Sequence, residues 1–401
     1  MGNYPSRTLK MDKKTEETIA KMIKETMDSK MENTTKMHYE KELEAIHKSN
    51  RFRSRKLSKT NLIDLASNDY LGLGSKKKLF KKAYKLLKIE GSFAPKSSQL
   101  VNGYYPIHKR FEEKLCKYNG FPDGIIVGSG FLANISLLEG LVRKKDILFM
   151  DEEYHASGML ASKLVENVIL FKHNDFVDLT NKIEELENKK GKNRFIIAIE
   201  GVYSMGGDIA PKEFADIAQK YEAILIVDEA HSSGVIGENL LGWYDYHHIK
   251  IMPNHIKMGT LGKAYGSYGA YILASKHIVS FLENRAKAII YTTAPSLFDT
   301  ALGLVAFSYI IKNKEKLTKK IVRKRKLVKD ILEIETQSLI LPIEIDDNKK
   351  VIEIQKNLEN EGFAIGAIRQ PTVAKAILRI ILKLDVKNNE LTKVLQKLKS
   401  I

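Results

Sequence analysis

The 401-residue sequence predicts an α/β fold, with a large domain on a mostly parallel sheet and a smaller C-terminal α/β domain. Two observations predict it. Between residues 125 and 228, short apolar runs alternate with helix-length amphipathic segments. The apolar runs at 224–227 and 256–258 also end in small or charged residues, as buried parallel strands do where they deliver a site. A chain of this length holds two or three lobes and a large core, and 43% hydrophobic with 29% charged residues is ordinary for a globular protein.

In chain order, residues 1–38 form a polar, methionine-rich extension. Ile19, Ile23, Met27 and Met31 recur there every four residues, which permits one amphipathic helix but no core. Residues 39–60 read as a helical segment ending in the basic connector Arg51-Phe52-Arg53-Ser54-Arg55-Lys56. The large domain is placed at 61–295. It opens on a strand and a turn-rich loop at 68–74, then a helix at 79–89, a Gly/Ser/Pro-rich loop at 91–103 and a helix at 108–118. Four strand–helix pairs follow: 125–127 with 131–142, 147–149 with 156–165, 168–171 with 177–186, and 195–199 with 211–221. Strands at 224–227, 256–258 and 269–274 complete the set, and a polar turn at 290–296 breaks the pattern. Connecting helices at 296–312 and 315–334 lead into the small domain, the two together spanning 296–401. That domain reads as strand 339–345, helix 348–361, short strands 363–368 and 377–382, and helix 387–399. No Gly-x-Gly-x-x-Gly follows the first strand and no Walker-type Gly-Lys-Ser/Thr occurs, so dinucleotide and ATP readings lose their best support.

The chemistry concentrates at 224–266. One strand end hands out Asp228, Glu229 and His231; the other hands out Thr260 and Lys263, with Gly259, Gly262 and Gly266 clearing space around the lysine. Most of the 66 lysines and arginines are solvated charges. An ammonium in a closed apolar site differs, because desolvation lowers its pKa and frees a nucleophilic amine. An aspartate from another strand is the group that keeps a pyridinium nitrogen protonated, so that the ring acts as an electron sink. Asp228 and Lys263 together point to pyridoxal 5'-phosphate. Gly128-Ser129-Gly130-Phe131, between a strand and a helix, offers backbone N–H groups and a positive helix end to an anion, although an ordinary Gly-rich turn reads the same way.

Four segments resemble the α-oxoamine synthases, a family of fold-type-I pyridoxal-phosphate enzymes. They are Ser67-Asn68-Asp69-Tyr70-Leu71-Gly72-Leu73, Glu200-Gly201-Val202-Tyr203-Ser204-Met205, Val227-Asp228-Glu229-Ala230-His231 and Gly259-Thr260-Leu261-Gly262-Lys263-Ala264. The resemblance runs from about Tyr39 to the C-terminus in the family's order. Ala367-Ile368-Arg369-Gln370-Pro371-Thr372-Val373 is most similar to the branch that makes 8-amino-7-oxononanoate in biotin synthesis.

The resemblance implies a seven-stranded sheet, a homodimer with active sites at its interface, and a pyridoxal-phosphate-dependent acyltransferase. Its substrates would be L-alanine and pimeloyl-CoA or pimeloyl-acyl-carrier protein, condensed with loss of carbon dioxide. Lys263 would carry the cofactor and later act as general base, Asp228 would hold the ring nitrogen, His155 would stack on the ring and His231 would lie near its phenolic oxygen. Gly130 and Phe131 would cradle the phosphate, with cofactor contacts from Ser204 and Thr260 and, across the subunit interface, Thr292 and Thr293. Asn68, Thr372 and Arg379 would bind substrate, the arginine by a bidentate grip on the amino-acid carboxylate. The chain departs from the pattern at Gly206, where an aspartate is common, and at Glu229, where a second aspartate is frequent. Near Arg379 it has Lys375-Ala376-Ile377 and one arginine in place of a glycine-bearing loop and two arginines. Glycine C-acetyltransferase, 5-aminolevulinate synthase and serine palmitoyltransferase share the Asp–Lys chemistry, so the choice of substrates rests on segment 367–373.

A formal charge of +17 would attract acidic partners such as nucleic acid, coenzyme A phosphates or an acidic carrier protein. The basic residues are interleaved with acids, as in Lys182, Glu184, Glu185, Glu187 and Lys189, and no recognition motif or aromatic-interleaved basic strip appears. That argues against a nucleic-acid binder. The dense run at 316–329 has Leu317, Ile321 and Val322 among its cations and reads as a helix with one wet face. His247, His248 and His255 have no carboxylate or cysteine set to complete a tetrahedral site, so no metal is expected. A single cysteine, Cys116, allows no internal disulfide, and no apolar stretch approaches membrane-span length. No apolar signal region follows the N-terminus, and Met1-Gly2-Asn3-Tyr4-Pro5-Ser6 fits only the loose myristoylation pattern. The expectation is a cytoplasmic protein without a membrane partner.

Overall fold

The apolar runs become a seven-stranded sheet in the computed structural model, which describes residues 12–49, 51–55, 57–59, 61–187, 193–345 and 347–400. The hexapeptide 1–6, Lys56 and Lys189 lie outside the described residues. The chain divides into two units, Met1–Thr60 and Asn61–Ile401.

Among its described residues the first unit contains one helix, Lys13–Lys48, capped by Asp12, whose carboxylate accepts from Thr15 N at 3.0 Å. The helix runs through residue 38 without a break, and Ile19, Ile23, Met27 and Met31 all stand exposed on it.

Among its described residues the second unit carries twelve strands: β1 (Ile63–Asp64), β2 (Asp123–Val127), β3 (Ile147–Asp151), β4 (Val168–Phe171), β5 (Phe195–Glu200), β6 (Ile224–Asp228), β7 (His255–Thr260), β8 (Ala270–Ala274), β9 (Ile340–Glu344), β10 (Phe363–Ala364), β11 (Gly366–Ile368) and β12 (Ile377–Ile381). The large sheet has the order β2-β8-β7-β6-β5-β3-β4, and β8 alone runs against the rest. Both faces are covered, which is why its central strands are continuously apolar. Alternate residues feed two cores: Leu225 and Val227 of β6 join one cluster, and Ile226 joins the other. Ser129 caps the helix Gly130–Leu141 by accepting from Leu132 N at 3.2 Å, and Gly120, at φ +76°, ends the helix Pro106–Asn119.

The smaller sheet is antiparallel, in the order β11-β12-β9. The single strand expected at 363–368 is split. β10 pairs in parallel with β1, and β11 turns away to edge the small sheet. Residues 275–289, given no element from sequence, include the helix Lys276–Arg285, started by the Ser275 hydroxyl. The helix Lys314–Leu332 departs from a simple wet face: Lys324 is buried, its Nζ donates to Val386 O at 2.5 Å, and burial lowers its pKa to about 8. No described helix is long and apolar enough to cross a membrane.

Candidate active site

The carboxyl ends of β5, β6 and β7 lie side by side. The register pairs Glu200 with Asp228, and Asp228 with Met258, two residues before the end of β7. Lys263 follows three residues after that strand. Its Nζ lies 2.7 Å from His231 Nε2, and His231 Nδ1 lies 2.5 Å from Tyr70 OH. Tyr70 OH is 3.4 Å from Asn68 Oδ1, which accepts from Arg379 Nη1 at 3.0 Å. Arg379 Nε donates to Ser204 O at 2.7 Å. One line of polar groups therefore joins the loop after β7 to β12 of the small sheet.

Burial lowers the Lys263 pKa to about 8 against the pull of Asp228 and Glu200, with Arg379 adding to the depression. Burial, then the neighbouring Lys263 and Arg379, hold His231 well below its ordinary range, so the imidazole is neutral. Burial also keeps the Tyr70 phenol protonated. The two neutral tautomers of His231 match the two states of the amine. Nε2 accepts from an ammonium, or Nε2–H donates to a free amine while Nδ1 accepts from Tyr70.

On the other side, Asp228 Oδ2 accepts from Asn134 Nδ2 at 3.0 Å and Oδ1 accepts from Ala230 N at 2.9 Å. Asn134 is fixed by Tyr154 OH, which donates to its Oδ1 at 2.8 Å, and its Nδ2 also donates to Ser157 Oγ at 2.9 Å. Ser157 in turn holds His155, whose Nδ1 accepts from Ser157 N at 3.2 Å and lies 2.7 Å from its hydroxyl. Burial is the main cause lowering the His155 pKa. Glu200 is 1% exposed, and its Oε1 has no partner among the described residues. Burial and then the Asp228 charge raise its pKa well above the ordinary carboxylate value, against the pull of Lys263.

Gly130 begins a twelve-residue helix, and a Cβ placed there would stand 3.9 Å from Thr260 Cβ. The helix N-terminus and the Thr260 end of β7 thus face one small space beside Lys263. The glycines around the lysine have different jobs from the shared one expected. A Cβ on Gly259 would lie 2.3 Å from the Tyr271 ring, and one on Gly266 (φ +58°) 2.4 Å from Gly74 N, so both serve close packing. A Cβ on Gly262 would meet only ordinary contacts, 3.6 Å from Thr260 Oγ1 and 3.8 Å from Ser267 O. Glu229 also turns away from the site, accepting from Trp243 N at 2.6 Å and pairing with buried Lys257 at 3.4 Å.

The sequence profile of the aminotransferase class I and II family matches residues 60–398. The 8-amino-7-oxononanoate synthase of Helicobacter pylori strain J99 is 46% identical over 348 residues, covering 86% of this chain and 92% of that one. The chain belongs to the class I and II aminotransferases, among the α-oxoamine synthases. A putative 8-amino-7-oxononanoate synthase of Aquifex aeolicus strain VF5 is 36% identical, over 88% of this chain and 95% of its own. Among solved structures, the 8-amino-7-oxononanoate synthase of Francisella tularensis is 26% identical with a TM-score of 0.67, over 85% of this chain and 98% of its own. A serine palmitoyltransferase from S. paucimobilis superimposes with a TM-score of 0.81 over 92% of this chain and 97% of its own, at 21% identity, which speaks for the fold alone.

As an α-oxoamine synthase the protein is a pyridoxal-phosphate-dependent acyltransferase, and its donor set fits the cofactor. Lys263 supplies an amine of lowered pKa, Asp228 a buried carboxylate, and Gly130 a helix start whose missing Cβ leaves room for an anion. Of the site residues expected from sequence, Lys263, Asp228, His155, His231, Ser204, Asn68 and Arg379 stand in the two linked networks, and Gly130 and Thr260 sit beside them. Phe131 is the second residue of the Gly130 helix, 46% exposed. Thr292 and Thr293 lie in the turn at 291–296, and no hydrogen bond among the described residues ties them to Lys263 or Asp228. Thr372 sits in an exposed turn closed by its own N–H to Arg369 O at 3.0 Å. Asn134, Tyr70 and Glu200 were not singled out from sequence. Tyr70 and Glu200 lie inside the quoted motifs, whereas Asn134 sits mid-helix with no local signal.

A second polar knot ties two loops of this α-oxoamine synthase together. His173 Nδ1 lies 3.1 Å from Asp151 Oδ1 and its Nε2 2.9 Å from Asp208 Oδ2, while Tyr203 OH donates to Asp151 Oδ2 at 2.7 Å. Against the cost of burial, the two aspartates raise the His173 pKa to about 10. A raised folded-state value means stabilisation that is complete below the ordinary 6.5 and lost as pH climbs through about 10. With solvent screening this is worth roughly 2–3 kcal/mol. Urea titrations of His173→Gln are expected to show that deficit below pH 6.5 and none above pH 10; a deficit independent of pH would contradict it.

Proposed function

We propose that this enzyme condenses L-alanine with a pimeloyl thioester, carried by coenzyme A or an acyl-carrier protein. Carbon dioxide and free thiol are released, giving 8-amino-7-oxononanoate for biotin synthesis. The observation that carries this is the line Lys263–His231–Tyr70–Asn68–Arg379, which joins a proton-accepting amine to a guanidinium through one chain of polar contacts. Relatives at 46% and 36% identity that carry the 8-amino-7-oxononanoate synthase name support the choice of branch.

Lys263 Nζ takes the α-proton of the amino acid, and His231 orients that amine through Nε2. Arg379 has Nε and Nη1 tied to Ser204 and Asn68, and its guanidinium, also against Tyr70, is offered to the carboxylate. Asp228, held by Asn134 and Ala230 N, would keep a proton on the cofactor's ring nitrogen, and His155 would stack on the ring. When bound, pyridoxal phosphate supplies the electron sink for the carbanion formed at the α-carbon. Gly130, Phe131, Ser204 and Thr260 hold the cofactor, while Thr292 and Thr293 serve the site across a homodimer interface. Thr372 lies on the acyl side, the lobes 61–295 and 296–401 meet at the site, and the enzyme works in the cytoplasm.

The test is a condensation assay pairing L-alanine, glycine and L-serine with short thioesters and the pimeloyl thioester. L-Alanine with the pimeloyl thioester is expected to give the highest kcat/KM, by about tenfold or more over glycine. A preference for glycine or serine, or for a short acyl chain, would overturn the proposal.

A further inference from the structure

A crevice outside the catalytic site opens between the helices Lys77–Leu87, Pro106–Asn119 and Leu297–Lys312. It encloses a cavity of about 450 Å³, and its lining includes none of the residues assigned above to cofactor or substrate. Leu79, Leu86, Leu304 and Val305 form an apolar floor beside Tyr309. Lys82, Lys85, Arg110, Lys114 and Lys312 line it too, with no acidic residue among the lining and no carboxylate paired to any of the five among the described residues.

Two of its polar contacts are already built. Lys114 Nζ donates to Ser308 Oγ at 2.7 Å, and Lys76, outside the lining, donates to the lining Tyr309 OH at 2.9 Å with its ammonium 4.4 Å from the ring centre. Burial and the nearby Arg110 and Lys117 lower the Lys114 pKa, as expected where like charges crowd together without a counter-charge. Elsewhere on this basic chain cations are met by acids, as in Lys109 with Glu113 at 3.9 Å on the same helix as Arg110 and Lys114. Here three helices turn cations into one concavity and leave the acids outside.

We infer that this crevice binds a nucleotide bearing at least two phosphate groups. An apolar floor suits a base, and several cations round one opening suit a polyphosphate. The volume is within the range of small-molecule pockets, roughly 300–1,000 Å³. Inorganic phosphate would leave the floor bare, and a fatty acid would leave most of the cations unpaired. A concave opening of this size favours a small molecule over the face of an acidic protein.

The test is calorimetric titration of the cofactor-loaded enzyme with adenosine 5'-diphosphate, so that the anion site at Gly130 is filled beforehand. Adenosine and inorganic pyrophosphate serve as separate probes, each at low and high salt. Saturable binding of the diphosphate is expected, weakened by salt, with pyrophosphate binding more weakly and adenosine not measurably. The double variant Lys85→Gln/Arg110→Gln is expected to bind about tenfold more weakly. Lys312→Gln, on a different helix, is expected to weaken binding to a smaller extent. Both variants are expected to keep full condensation activity. Absence of diphosphate binding, equal affinity in the variants, or pyrophosphate binding as tightly as the nucleotide would each overturn the inference. Because binding is read without turnover, a wrong substrate assignment leaves the result intact.

Discussion

Lys263→Ala will yield a protein that takes up pyridoxal phosphate weakly, lacks the visible absorption of the covalently held cofactor, and condenses substrates at least about 10⁴-fold more slowly. In the proposed mechanism two roles fall on one amine, attachment and proton removal, so the loss should exceed what either alone would give. The helix Gly130–Leu141 and Thr260 are untouched, so the variant should still bind the cofactor's phosphate reversibly. In the native protein, borohydride should fix the cofactor to Lys263. The lysine pKa of about 8 sets the pH behaviour of cofactor uptake. A lowered value means ammonium below and free amine above, so the rate at which cofactor-free protein is loaded should rise with pH and level off above about 8. A yellow, active alanine variant would remove the lysine from the chemistry altogether.

Asp228→Asn is expected to fold normally and retain cofactor, yet lose on the order of 10³-fold in kcat. The substitution is nearly isosteric. One side-chain oxygen remains to accept from Ala230 N or Asn134 Nδ2, at positions where the native contacts are 2.9 and 3.0 Å. What disappears is the negative charge. Without it the ring nitrogen is no longer held protonated and proton removal at the α-carbon slows, whereas the carboxylate grip at Arg379 is unaffected. KM for the amino acid should therefore stay within a few-fold while kcat falls. A comparable drop in thermal stability would instead mark Asp228 as a core residue.

Much of this was legible in the sequence because it lies in short-range patterns. Apolar runs ending in Asp228 and Thr260 identified buried parallel strands, and the residues just beyond them carried the chemistry. The α/β class, the seven-stranded sheet and the family followed from those runs and the motifs around them. What escaped depends on partners remote in the chain. Asn134 orients Asp228 across 94 residues, and Tyr70 meets His231 across 161; neither residue type announces such a partner locally. Glu229 looked like a site acid because it adjoins Asp228, but strand alternation turns its carboxylate to the opposite side, where Lys257 waits. Lys324 was taken for one more solvated cation, although its place between Ile321 and Val328 puts it on the buried face of its helix. Proximity in sequence gives the glycines round Lys263 one shared job, whereas the Cβ positions separate Gly259 and Gly266, where a side chain would clash, from Gly262, where it would meet only ordinary contacts.

Arg379 belongs to the middle strand of the small sheet, and two of its nitrogens are spent on a backbone carbonyl and an amide of the large lobe. A ligand gripped by the remaining nitrogen would sit on a side chain that itself ties the two lobes together. Its binding free energy then adds to the cohesion between them, in proportion to the logarithm of its concentration over its dissociation constant. If Arg379 grips the amino acid as proposed, saturation would brace the C-terminal quarter of the chain, and a starved enzyme would be the one whose lobes come apart most readily.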